Sequence, residues 1–152
     1  MENLAFPQYT FRLKNSENKP FIFDPIRKKF ISLTPEEWVR QHTLKFLLET
    51  HHYPTGLTNV EKEIKVYKTK KRYDIVVFKK DGSIFLIVEC KAPKIKLDQT
   101  VFDQIARYNL QLNAQYLMVT NGLQHVYSRM DYKNERYDFI PELPPYINES
   151  SK

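Results

Sequence analysis

The sequence predicts a single α/β domain with a mixed central β-sheet flanked by helices, and three observations carry that prediction. Residues 73–78 and 84–90 are runs rich in β-branched and aromatic residues, and the Asp81-Gly82 pair between them is a strong hairpin signal. Both faces of the two runs are apolar, Val76, Phe78, Phe85 and Ile87 on one side and Ile75, Val77, Ile84, Leu86 and Val88 on the other. Strands of that kind are covered on both sides. A strand–helix–strand order over residues 83–120 then forms a crossover, which favours parallel pairing and a right-handed connection.

Taken in order, residues 1–33 alternate aromatic and polar residues around Tyr9–Leu13, Phe21–Phe23 and Lys29–Leu33. They read as short strands with a hairpin at Asp24-Pro25, an extension that covers the core or meets a partner subunit. Thr34-Pro35-Glu36-Glu37 starts a helix, with Thr at the N-cap, Pro at the first position and Glu three residues after the cap. This helix runs to about Thr50 and offers Trp38, His42, Leu44, Leu47 and Leu48 to the core. His51 and His52 close it; with no Cys or second His pair at ligand spacing, they do not make a zinc site. Residues 60–67 alternate as an edge strand, with Glu61 and Glu63 as solvated charges, and Lys68–Arg72 follow as a basic loop or strand end. A second helix runs from about Asp98 to Asn113, with Val101, Ile105, Tyr108 and Leu112 as its apolar stripe. Tyr116–Thr120 is a buried strand, Asn121-Gly122 a turn and Leu123–Arg129 the next strand. The segment 131–140 adds a last strand before Pro141, Pro144 and Pro145, and Ile147–Lys152 reads as a disordered tail. The divisions are thus an N-terminal β extension (1–33), a core (34–140) and a C-terminal tail (141–152).

The chain of 152 residues is one domain by length, and its 21 aromatic residues with 41% hydrophobic content place it among folded globular proteins. It carries a net charge of +6, and between Lys62 and Lys96 eleven Lys and Arg stand against four acids. A basic excess concentrated around the hairpin suits a polyanionic partner. Cys90, without a second cysteine, forms no internal disulfide and reads as a small buried hydrophobe. No signal peptide or 18-residue apolar run is present, so the expected setting is soluble and cytoplasmic, with no membrane. Gly-rich phosphate loops, Ser–His–Asp signatures and internal repeats are absent from the sequence.

The chemistry concentrates on the hairpin. If Asp81 and Gly82 form a two-residue loop, Lys80 faces Ser83 and, counting back pair by pair, Asp74 faces Glu89. Opposed residues have Cβ atoms about 4.5–5.5 Å apart, so two carboxylates meet on one face, and Lys91 shares it. Two such carboxylates cannot both ionise cheaply without a compensating cation. A hard divalent ion such as Mg²⁺, or Mn²⁺, meets that need, and Lys91 could position or deprotonate a metal-activated water or stabilise charge on a phosphate. The other reading is a structural Asp–Lys–Glu cluster at a sheet end. From its position Glu37 reads as a capping-box acid reaching back to the Thr34 backbone; an acid near the metal is the other reading, which the resemblance given below implies, and Glu36 would serve for either. Lys70, Lys71 and Arg72, beside Asp74, suit contact with phosphates. Gln104 and Tyr108 stand one helical turn apart; a Gln amide suits a phosphate or metal water, and as ordinary residues Tyr108 would pack in the core with Gln104 at its rim.

The spacing of Asp74, Glu89 and Lys91 resembles the PD-(D/E)xK nuclease superfamily, and VECKAP at 88–93 resembles the N-terminal nuclease domain of type I restriction enzyme R subunits. Gln104 and Tyr108, in DQIARY, match the Gln-x-x-x-Tyr that follows the Lys in the restriction-type and helicase-associated branch. Tyr73 stands where that superfamily often has Pro, and the motor domains of a restriction subunit are absent. The resemblance implies a restriction-endonuclease-like core and metal-dependent hydrolysis of DNA phosphodiester bonds. It further implies Asp74, Glu89, Lys91 and Gln104 as catalytic residues, with the metal on Asp74, Glu89 and the Cys90 backbone carbonyl. Glu37 and Tyr108 support the site, and Lys70, Lys71, Arg72 and Lys94 hold the DNA backbone. The partners it implies are DNA and a separate helicase or translocase, or another restriction subunit; a homodimer would bring two sites to two strands. The rival reading is a catalytically silent module of the same fold that binds DNA or docks on a motor, and an RNA substrate is a third.

Overall fold

In the computed structural model, which describes residues 1–66 and 68–146, the strands fall into two sheets. The first is antiparallel, with β1 (Leu13–Ser16), β2 (Lys19–Asp24) and β3 (Lys29–Ser32) in chain order. Glu17 and Asn18 both take left-handed φ (53° and 64°) in the two-residue turn between β1 and β2, a geometry that matches strand twist. The Asp24 carboxylate accepts from the N–H groups of Ile26 and Arg27, both at 2.8 Å, and so makes the expected hairpin into β3. Residues 9–12 are not a strand. They belong to a strap drawn across the core, in which Leu4 and Phe6 pack on buried side chains, the Trp38 indole donates to the Glu2 carbonyl (2.8 Å) and the Ala5 N–H to the Gly122 carbonyl (2.7 Å).

Helix α1 (Pro35–Lys45) starts where Thr34 caps it, its hydroxyl accepting from the Glu37 N–H at 3.0 Å, and it continues as a wider π turn over Phe46–Thr50. The second sheet has six strands in chain order: β4 (Thr58–Val66), β5 (Thr69–Phe78), β6 (Ile84–Cys90), β7 (Tyr116–Thr120), β8 (His125–Asp131) and β9 (Arg136–Ile140). Neighbours are antiparallel except β6 and β7, which are parallel as the crossover through α2 (Gln99–Asn109) requires. Val39, Leu44 and Leu47 of the first helical segment pack on Ile75, Val77, Leu86, Val88 and Met118. Phe102 and Ala106 of α2 pack on Val76, Ile87, Leu117 and Val119. The helices therefore cover opposite faces, and the hairpin is buried on both sides.

The structure corrects several expectations. The hairpin loop has three residues: the Lys79 N–H donates to the Ser83 carbonyl (2.8 Å), the Gly82 N–H to the Lys79 carbonyl (3.0 Å), and Gly82 is left-handed at φ 89°. Lys79 therefore faces Ser83. A bulge at Phe85 absorbs the extra step, because Phe78 pairs with Ile84 whereas Val77 pairs with Leu86, and the pairing expected further along is restored at Ile75 and Val88. Phe85 consequently joins Leu86 and Val88 under α1, while Ile84 packs on the α2 side. Of the two readings of the basic stretch, strand rather than loop holds for Lys70, Lys71 and Arg72, which pair with Lys65, Ile64 and Glu63 of β4. The stripe of α2 is centred on Phe102, Ala106 and Asn109, and Tyr108 is 43% exposed rather than packed in the core. The eighth strand begins at His125, since Asn121 spends its side-chain oxygen on the N–H groups of Leu123 and Gln124. Beyond β9, Leu143 is buried and the Tyr146 hydroxyl donates to the Phe78 carbonyl (3.0 Å); the tail from Ile147 lies outside the described residues. Among those residues no helix is long and apolar enough to cross a membrane.

Candidate active site

Strand β5 pairs with both neighbours only from Ile75 onward; residues 69–73 pair with β4 alone. Asp74 sits at the branch. Tyr73 and Ile75 pack into opposite cores there, so the two-residue alternation is broken at Asp74, and Glu61, level with it on β4, takes a left-handed φ of 57°. The Asp74 carboxylate bridges the parting strands by accepting from the Cys90 N–H through Oδ2 at 2.8 Å. Glu89 precedes that amide and Lys91 follows it, so Asp74, Glu89 and Lys91 are brought to one sheet end.

The positive charge that the carboxylates demand is supplied on one side by Arg40 of α1. Its Nη2 lies 2.7 Å from Asp74, 3.0 Å from Glu61 and 3.5 Å from Glu36, and its Nη1 donates to Glu37. Glu37, 4% exposed, does not return to the Thr34 backbone: its oxygens accept from Arg40, from Arg27 (3.0 Å) and from Gln41 (2.9 Å). Arg27 and Gln41 both also reach the fully buried Asp24. Against burial, hydrogen bonds and charge from Arg27, with another hydrogen bond from Gln41, keep Asp24 below the ordinary carboxylate range. A continuous polar chain thus runs from the first sheet through α1 to Asp74.

Glu89 is less well compensated. It is 8% exposed, and its one ion pair among the described residues is a long contact of 3.5 Å from Lys71. Burial, and then the nearby Asp74 charge, push its carboxyl up to about 7 against the pull of Lys71 and Lys91. Lys71 lies over the rings of Tyr73 (4.9 Å) and Tyr108 (4.3 Å), so Tyr108 reaches the site through that ammonium. Lys91 makes no ion pair among the described residues, yet its charge acts on both Glu36 and Glu89. The Cys90 thiol points to the buried side, and burial raises it well above its ordinary value.

Gln104 is exposed on α2, outside the hydrogen-bonded cluster. Lys70 and Arg72 are exposed on the β4–β5 arm beside Glu63 (3.9 Å) and Glu61 (3.7 Å), and Lys94 is exposed in the loop after β6. Sequence reasoning missed Arg40, Glu61 and the Asp24–Arg27–Gln41 group. The spacing of Glu36 and Glu37 to Arg40 on one helix was a usable signal for the first. Glu61, expected as a solvated charge, needed the β4–β5 register, which no turn signal announces.

The protein-family model for the type I restriction enzyme R protein N terminus matches residues 35–144. The chain belongs to this family. The match covers the first helix, the six-stranded sheet and every residue of the cluster on Arg40, and leaves the β1–β3 sheet ahead of it. No curated protein matches the chain. As a restriction-enzyme R N-terminal domain, the fold places its acidic residues at the end of the central hairpin, where β5 and β6 part.

Proposed function

We propose that this protein is a metal-dependent deoxyribonuclease that hydrolyses phosphodiester bonds. The observation that carries the reading is the convergence of Asp74 and Glu89 where β5 leaves β6, with the Lys91 ammonium close by and, among the described residues, in no ion pair. The donor set fits a divalent ion. Asp74 Oδ2 carries one hydrogen bond, leaving a lone pair, and among the described residues Glu89 has only its long contact with Lys71. Asp74, Glu89 and the Cys90 backbone carbonyl would hold Mg²⁺ or Mn²⁺, which when bound supplies Lewis-acid activation of water and phosphate.

The chain's own residues do the rest. Arg40 and Glu37 fix the Asp74 carboxylate, and the Lys71–Tyr108 pair steadies Glu89. Lys91 orients the attacking water and meets the negative charge that grows on the phosphate. Gln104, exposed on α2, would contact a phosphate, while Lys70, Arg72 and Lys94 would hold the backbone of the bound strand. The partners we infer are DNA and a separate motor or restriction subunit.

The test is cleavage of labelled single- and double-stranded DNA, and of RNA, with Mg²⁺, Mn²⁺ or EDTA, beside Asp74→Asn purified identically. Metal-dependent cutting that disappears in a variant of unchanged melting temperature is the expected result. Cutting that survives EDTA or the substitution removes the assignment, and cutting confined to RNA replaces the substrate. One observation favours a second reading, a DNA-docking module without turnover: Arg40 already neutralises Asp74. That module would bind DNA, cut nothing and show no Asp74-dependent rise in melting temperature with Mg²⁺ or Mn²⁺.

A further inference from the structure

We propose that the outward face of the β1–β3 sheet is a second DNA-backbone contact, built from Arg12 and Lys14 on a floor of Phe21, Phe23 and Phe30. The register assembles it. Lys14 pairs with Phe21 and Phe23 with Phe30, and the Phe23 N–H donates to the Arg12 carbonyl (2.9 Å), so these five side chains share one face of the sheet. The alternate residues, Ile22 and Asp24, are fully buried on the other face.

The Arg12 guanidinium lies 4.2 Å from the Phe23 ring centre and the Lys14 ammonium 4.3 Å from that of Phe30. Ring faces order these cations without neutralising them. Both side chains are exposed, and among the described residues neither has a carboxylate within ion-pair distance. Between residues 12 and 32 six Lys and Arg stand against two acids, and one of the acids, Asp24, is turned inward onto Arg27. Pre-ordered, uncompensated cations in a row complement a phosphate backbone. The face belongs to the part of the chain ahead of the family match, which begins at residue 35. It is tied to the site all the same: Asp24 on its underside bonds Arg27 and Gln41, these bond Glu37, Glu37 bonds Arg40, and Arg40 bonds Asp74. A strand held here would be held relative to Asp74. The choice of DNA as occupant rests on the function proposed above.

The experiment is equilibrium binding of a labelled DNA duplex in EDTA over a range of salt concentrations, comparing the full chain with Arg12→Gln/Lys14→Gln and with Lys14→Gln alone. The double variant should bind several-fold more weakly at fixed salt, and the slope of log affinity against log salt should fall by about 1.8, two contacts at about 0.9 each. The single variant should lose about half of that, and it decides the question if the double variant does not fold. Unchanged slopes in folded variants overturn this surface and leave the nuclease reading standing. A full chain that binds with the expected slopes but never cuts sinks the nuclease reading and leaves the surface. A full chain that binds no DNA overturns the surface outright.

Discussion

Arg40 and Glu89 sit on opposite sides of one electrostatic problem. Arg40 is 7% exposed and pairs with Glu37 and Asp74, so removing it leaves buried Glu37 with Arg27 and Gln41 and takes from Asp74 its ion pair, with the Cys90 N–H remaining. Breaking a buried pair from one side costs about 3–5 kcal/mol. We expect Arg40→Met to melt about 10 °C lower in EDTA, with Mn²⁺ raising its melting temperature more than that of the natural protein; a drop within measurement error would show that the guanidinium is not the counter-ion of the site. Glu89 has its folded-state carboxyl raised to about 7, above its value in the unfolded chain. Between those values the folded state binds the extra proton, so stability falls as pH rises through the window from about 4.5 to 7. Glu89→Gln should therefore be the more stable protein at pH 8 in EDTA, by about 2–3 kcal/mol, with the difference gone below about pH 4.5. Equal unfolding free energies at pH 8 would contradict this. Counting along the hairpin brought Asp74, Glu89 and Lys91 to one sheet end, but the pairing of the two strands stops at Ile75 and Val88, and Asp74 meets the Cys90 N–H where counting had it face Glu89. Arg40 was not legible, because two of its partners, Glu61 and Asp74, come from strands distant from α1 in sequence.

At the scale of elements, two glycines separate backbone from packing. Gly82 and Gly122 both have left-handed φ, 89° and 87°, but a Cβ on Gly82 meets nothing, whereas one on Gly122 would lie 2.9 Å from Leu4 and 3.0 Å from Val39. Gly82→Ala should cost only the backbone term, about 1–2 kcal/mol. Gly122→Ala adds overpacking where the N-terminal strap crosses α1, for a total of about 2–4 kcal/mol by chemical denaturation. Equal losses would mean that the strap yields freely. The strands themselves were readable from composition, and β6 and β7 fall at the expected residues. The bulge at Phe85 was not, since a three-residue loop plus a bulge and a two-residue loop without one leave Ile75 and Val88 in the same register.

For the whole molecule, the open question is whether the core stands without its N-terminal extension. Leu4 and Phe6 pack on the main core, and Asp24 and Arg27 satisfy Gln41 and Glu37, both buried on α1. A chain lacking residues 1–32 exposes apolar surface and leaves Glu37 short of a cation. It should lose its cooperative thermal transition; a sharp transition within a few degrees of the full chain's would make the extension an independent appendage.

The sequence by itself determined the fold class, the central hairpin with its crossover, and the placing of two carboxylates and a lysine at one sheet end. These depend on alternation, turn chemistry and counting along neighbouring residues, interactions local enough to be written in order. Tertiary structure alone decided the charge balance of the site and the attachment of the first sheet to it. Arg40 reaches Glu37 within its own helix but Glu61 and Asp74 across the fold, and Asp24 reaches Gln41 from another sheet. Such contacts rest on where buried side chains converge once both faces of the sheet are covered, and a linear pattern does not encode that convergence.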